Sequence, residues 1–120
     1  MNKTWKSAER KIAELLGGKR VPVTGRQRGD APDIEHPFFS VEVKHWQTLP
    51  NWLHEAMEQA EKSVRGNKIP IAVLHETGTK YDKALTVVRL GDMIKLYQKL
   101  EEFREAKMNE ELSLPPSFYE

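Results

Sequence analysis

Residues 32–44 read Pro32-Asp33-Ile34-Glu35-His36-Pro37-Phe38-Phe39-Ser40-Val41-Glu42-Val43-Lys44. Asp33-Ile34-Glu35 begins a strand, and His36-Pro37 breaks it because proline cannot serve an interior ladder position. Phe38 to His45 is a second strand, rich in β-branched and aromatic residues. Side chains alternate along a strand, so Ser40, Glu42 and Lys44 share one face and Phe39, Val41 and Val43 the other. An acid and an amine then stand side by side, and Asp33 can meet Glu42 across the hairpin. Two converging carboxylates suit a hard divalent cation such as Mg²⁺, with the Val43 carbonyl as a further oxygen. Lys44 would lie within reach of an attacking water. The same residues also fit a plain edge strand preceded by a turn aspartate.

Working outward, the spacing predicts a helix over residues 4–16, with Trp5, Ala8, Ile12, Leu15 and Leu16 inward. Thr4 caps its start and Gly17-Gly18 stop it. Val21-Pro22-Val23 reads as a short extended piece. Residues 24–32 form a polar loop with two glycines and two arginines. Residues 52–65 read as a helix with Trp52, Leu53, Ala56, Met57, Ala60 and Val64 inward. Ile69 to His75 and Ala84 to Leu90 read as buried strands. A last helix runs from about residue 92 to 107, with Met93, Ile94, Leu96, Tyr97, Leu100 and Phe103 as its stripe. Residues 113–119 read as extended. The order is α-β-β-β-α-β-β-α, which fits an α/β fold: a mixed central sheet flanked by helices.

The 120 residues fit one domain, with a core at about 4–107 and an acidic, proline-containing tail at 108–120. There is no cysteine, which excludes a disulfide scaffold, a zinc ribbon and a thiol nucleophile. The charged start has no apolar stretch of signal-peptide type, and no run reaches the roughly 20 apolar residues of a membrane span. The expectation is a soluble cytoplasmic protein with no membrane partner. The net charge is only +1, yet residues 1–30 carry eight basic residues against three acids, net +5. Residues 100–120 carry two basic residues against six glutamates, net −4. The first end suits a polyanion and the second a solvated tail.

Pro32-Asp33 followed by Glu42-Val43-Lys44 resembles the PD-(D/E)xK nuclease signature. Glu9, in Ser7-Ala8-Glu9-Arg10, stands on the first helix where that superfamily often carries another acid. Gln59, on the helix after the ExK strand, matches a glutamine of its resolvase branch. Over residues 4–100 the order of elements is similar to archaeal-type and phage Holliday junction resolvases, down to the strands around Ile69–His75 and Thr86–Met93. The resemblance implies a restriction-endonuclease-like core and Mg²⁺-dependent phosphodiester hydrolysis, with Mn²⁺ able to substitute. It implies Asp33 and Glu42 as metal ligands and Glu9 as a further acid, direct or through water. Lys44 would act on the water or the scissile phosphate, and Gln59 would orient a ligand or the nucleophile. Such activity serves DNA recombination and repair, and the small size fits a phage-encoded enzyme. Four-way junctions have two symmetric scissile strands, so a homodimer is the mechanistic expectation.

The cations expected to contact DNA are Lys3, Lys6, Arg10, Lys19, Arg20, Arg26 and Arg28, together with Ser7. Arg26 and Arg28 stand on the loop leading to Asp33, well placed to hold a phosphate backbone. His36, His45, His54 and His75 have no close metal-ligand spacing and read as structural, with His36 set apart because it flanks the site. Trp5, Trp46 and Trp52 read as core or dimer-interface residues before base-stacking ones. Three further readings stay open. One is a nicking or repair nuclease on duplex or flapped DNA. The second is a non-catalytic DNA-binding module. The third is a small interaction protein that docks through its acidic last helix.

Overall fold

A computed structural model describes residues 2–22 and 31–113, with side chains over 4–22 and 31–112. Arg26, Arg28, the side chain of Lys3 and the extended segment expected over 113–119 lie outside the described residues, Ser113 apart from its backbone. The protein is mixed α/β, with three α-helices and two small antiparallel sheets. The elements are α1 (Asn2–Leu16), β1 (Lys19–Arg20), β2 (Ile34–Glu35), β3 (Ser40–Val41), α2 (Asn51–Lys62), β4 (Ile71–Leu74), β5 (Leu85–Val88) and α3 (Leu90–Ser113). This is the α-β-β-β-α-β-β-α order expected from the sequence. The chain forms two compact units, Met1–Leu49 and Pro50–Glu120.

In the first unit, α1 begins at Asn2, so Thr4 lies inside the helix and does not cap it. The helix ends as Gly17-Gly18 dictate. Gly17 takes φ 74°, its N–H donates to the Glu14 carbonyl, and the Gly18 N–H donates to the Ala13 carbonyl. That pair of bonds is the Schellman stop. Gly18 is also required by proximity, because a Cβ there would stand 2.5 Å from the Glu35 carbonyl oxygen. The chain then turns directly into β1, earlier than the strand expected at Val21–Val23. Within the described residues the ladder reaches Val21, whose N–H donates to the Asp33 carbonyl at 2.8 Å, and Val23 lies outside them. Pro22 has no N–H with which to continue the ladder.

β2 is the centre of a three-stranded antiparallel sheet, with Arg20 opposite Ile34 and Ile34 opposite Val41. α1 packs on β1. Ile34 is fully buried, and Ala13 and Leu16 of α1 are buried as well. Leu15, expected inward, is exposed, because the buried stripe runs through Glu9, Ala13 and Leu16.

In the second unit, α2 packs on β4, and β4 pairs antiparallel with β5 from Ile71–Val88 to Leu74–Leu85. Met57 is its buried apolar residue, and Trp52, expected inward, is exposed. β4 and β5 are not buried on both faces as expected: Ile71, Val73 and Leu85 are exposed. A two-stranded sheet with one helix against it has a second face to leave open. All the described ladders are antiparallel, where a mixed sheet was expected. α3 is longer than expected. At 24 residues it extends about 36 Å, far beyond a four-residue strand. Met93, Ile94 and Tyr97 are half-buried, whereas Leu96, Leu100 and Phe103 are exposed. Among the described residues, no helix is long and apolar enough to cross a membrane.

Candidate active site

Asp33 and Glu9 are the buried charged residues among those described. Each has a specific reason to be inside. Asp33 lies one residue before β2, and its backbone N–H donates to the Val41 carbonyl at 2.9 Å. Its side chain then takes over the ladder. Asp33 Oδ2 accepts the Val43 N–H at 2.6 Å. The regular pairing of β3 therefore stops at Val41, short of the expected His45, because a carboxylate oxygen has replaced the next backbone acceptor. The bond is short, as expected for an N–H donating to a charged group.

This contact holds Asp33 against the middle of the Glu42-Val43-Lys44 triplet. Exposure still alternates along that triplet, with Glu42 and Lys44 exposed and Val43 half-buried. Thus the structure joins Asp33 to Val43 and leaves Glu42 and Lys44 open on either side. Asp33 and Glu42 are hard oxygen donors, suited to a cation held by one or two carboxylates, water and a substrate phosphate. Among the described residues, no group of three or more His, Cys, Asp or Glu could hold a metal. Glu9, Asp33 and Glu42 therefore do not form a three-carboxylate cage.

Glu9 has a different partner. It falls on the buried stripe of α1, and its Oε2 accepts from Arg20 Nε at 2.7 Å. The side chains are 4% and 17% exposed respectively. The Arg20 guanidinium also lies over the Trp5 ring, 5.8 Å from its centroid. Arg20 was expected in a cationic surface patch. It is instead the partner of an internal acid, because a carboxylate buried on a helix stripe needs an adjacent cation. The sequence carries only half of the signal: Glu9 shares a helical face with Trp5 and Ala13, but nothing local marks Arg20 as its partner.

The remaining expected contacts are distributed as follows. Ser7, Arg10 and Lys19 are exposed, and Lys6 is half-buried with its Nζ over Trp5. Lys19 lines an open groove of about 710 Å³ together with Pro32, His36 and Phe38. Gln59 is exposed on α2 in the second unit. Trp46 and Trp52 are exposed rather than in a core.

His36 organises the hairpin next to Asp33. Its Nε2 is 3.1 Å from the Leu16 carbonyl, to which it donates. Its Nδ1 accepts from the N–H groups of Phe38 and Phe39, at 3.0 and 3.2 Å. One neutral imidazole thus ties the hairpin turn to the end of α1.

No family model, curated protein or solved structure matches this chain.

Proposed function

We propose that this protein is a divalent-metal-dependent, structure-selective DNA endonuclease with a restriction-endonuclease-like core, of the PD-(D/E)xK type and closest in kind to Holliday junction resolvases. The observation that carries this reading is the 2.6 Å bond from the Val43 N–H to Asp33 Oδ2. It links the aspartate and the Glu-x-Lys triplet of the motif, two segments ten residues apart in sequence. A bland turn aspartate would be solvated, whereas Asp33 is only 7% exposed.

Asp33 and Glu42 would hold Mg²⁺ or Mn²⁺. Bound there, the ion would lower the pKa of water and offset the charge that develops on a phosphoryl oxygen. The chain's own groups do the rest. The Val43 N–H fixes the Asp33 carboxylate, so its direction does not depend on the substrate. The exposed Lys44 ammonium would attract the scissile phosphate and orient the nucleophilic water. Arg20 holds Glu9 in place as a buried pair, so Glu9 acts through its surroundings rather than as a preassembled ligand. Lys19, Arg26 and Arg28 bring the DNA backbone to the site. A two-fold dimer would present two sites to the matched strands of a junction.

The pairing of Glu9 with Arg20 favours one other reading, a DNA-binding module that does not cut. The test is cleavage of a labelled four-way junction beside its linear duplex arms, with Mg²⁺ or EDTA. Symmetric Mg²⁺-dependent nicks confined to the junction support the resolvase. Equal cutting of duplex moves the protein to the nicking or repair nucleases. Tight binding without cutting leaves the module.

A further inference from the structure

The connection between β4 and β5 holds an aromatic pair that the nuclease chemistry does not use. His75 and Tyr81 stack with centroids 4.5 Å apart and planes inclined by 18°. The geometry is fixed from both sides. His75 Nε2 donates to the Thr79 carbonyl at 2.8 Å, and the Thr79 N–H donates to Glu76. Gly78, at φ 89°, permits the turn. Tyr81 opens a 3₁₀ turn (Tyr81–Lys83), which closes through the Lys83 N–H to Lys80 and the Ala84 N–H to Tyr81.

Tyr81 remains 85% exposed. A rigid loop therefore presents a flat ring to solvent, backed by a second ring. Beside it is a groove of about 440 Å³ whose walls include Trp52, His75, Glu76 and Lys83. Lys80 and Lys83 flank the tyrosine in sequence, and Lys83 shares the groove wall with Glu76. Such an arrangement offers a ring to a base and two cations close in sequence to the adjoining backbone.

We propose that the Tyr81–His75 stack is a nucleobase platform, on which one unpaired base of a DNA strand lies against the open face of Tyr81 while Lys80 and Lys83 take the adjoining phosphates. The proposal rests on the DNA reading above and adds the substrate feature recognised: an unstacked nucleotide, as at a branch or a frayed end. Every base offers a π-face, so the platform is tolerant of sequence.

The test is a fluorescence-anisotropy titration of the full chain with a labelled twelve-nucleotide thymidine oligomer in EDTA. Tyr81→Ala should weaken binding about 5- to 100-fold while the protein stays folded, with at most a small drop in melting temperature from the lost ring pair, and Tyr81→Phe should bind like the parent. Because stacking releases no counterions, Tyr81→Ala should leave the salt slope unchanged. Lys80→Ala with Lys83→Ala should make that slope shallower by about 1.4. Equal affinity of Tyr81→Ala and the parent overturns the proposal. So does a Tyr81→Phe variant as weak as Tyr81→Ala, since the ring would then not be what binds. A parent protein that cuts DNA but ignores the oligomer overturns the platform alone. One that neither cuts nor binds any DNA removes the nuclease reading as well.

Discussion

Both units expose apolar side chains, Phe38 and Trp46 among them in the first, but the buried charged residues among those described lie in the first alone. Residues 1–49 take charge inside: Glu9 is buried against Arg20, and Asp33 is buried against a backbone N–H. Residues 50–120 leave apolar surface outside: Val73 is 60% exposed, and Ile71, Leu85 and Phe103 are exposed with it. Their ion pairs sit at the surface, as between Arg89 and Glu61. Burying a charge is costly unless a partner is fixed beside it, and a site that directs a carboxylate needs such fixing. The first unit therefore has the features of a chemical site, and the second those of a contact surface.

The sharpest way to break this contrast is to neutralise the first unit's carboxylates. Asp33→Asn keeps an oxygen acceptor for Val43 but loses the charge, and Glu42→Gln alters an exposed residue. Each should reduce Mg²⁺-dependent junction cleavage by about 10²- to 10³-fold or more while binding persists. Near-parental cleavage rates in both variants would sink the site assignment.

The buried pair comes next. Glu9→Ala or Arg20→Ala leaves one charge inside without its partner and should cost about 3–5 kcal/mol in urea unfolding. Glu9→Leu combined with Arg20→Met should cost less than either single change. If the single variants unfold at the parental urea concentration, the pair is not the internal charge centre described here.

A smaller effect is expected at the hairpin. His36→Phe removes the donor to Leu16 and the acceptor shared by Phe38 and Phe39, and should cost about 1–3 kcal/mol by thermal melting. An unchanged melting temperature would mean that the turn holds without its imidazole.

The smallest effect belongs to the second unit's surface. The hydrogen bond from Arg89, aided by its charge and opposed by desolvation, holds the Glu61 carboxyl below its usual range. A carboxyl depressed on folding contributes stability above its ordinary pKa, and that contribution is lost as pH falls through the folded value. Glu61→Gln should therefore lower the melting temperature slightly at neutral pH, and the difference should shrink in acid and in high salt. A difference as large as that of the Glu9 variants would erase the distinction between the units.

Much of this was legible in residues that act on their neighbours. Gly17-Gly18 stops α1 because the bonds involved span only a few positions. The order of helices and strands follows from periodicity, and Asp33, Glu42 and Lys44 stand out by spacing. What was not legible depends on distant groups meeting. Arg20 read as a surface cation, because its partner is eleven residues away around a helix end. The expected strand to His45 ended at Val41, because the Asp33 side chain entered the ladder. β4 and β5 read as interior strands, since an all-apolar run does not say how many faces will be covered.

Element order, the helix stop and the residue types near Asp33 follow from the chain alone, because they rest on local backbone preference and side-chain periodicity. The partnership of Glu9 with Arg20, the hold of Val43 on Asp33 and the open stacking of Tyr81 on His75 arise in the folded arrangement. Each of those is a pairing of groups brought together by register and burial, which no local rule encodes.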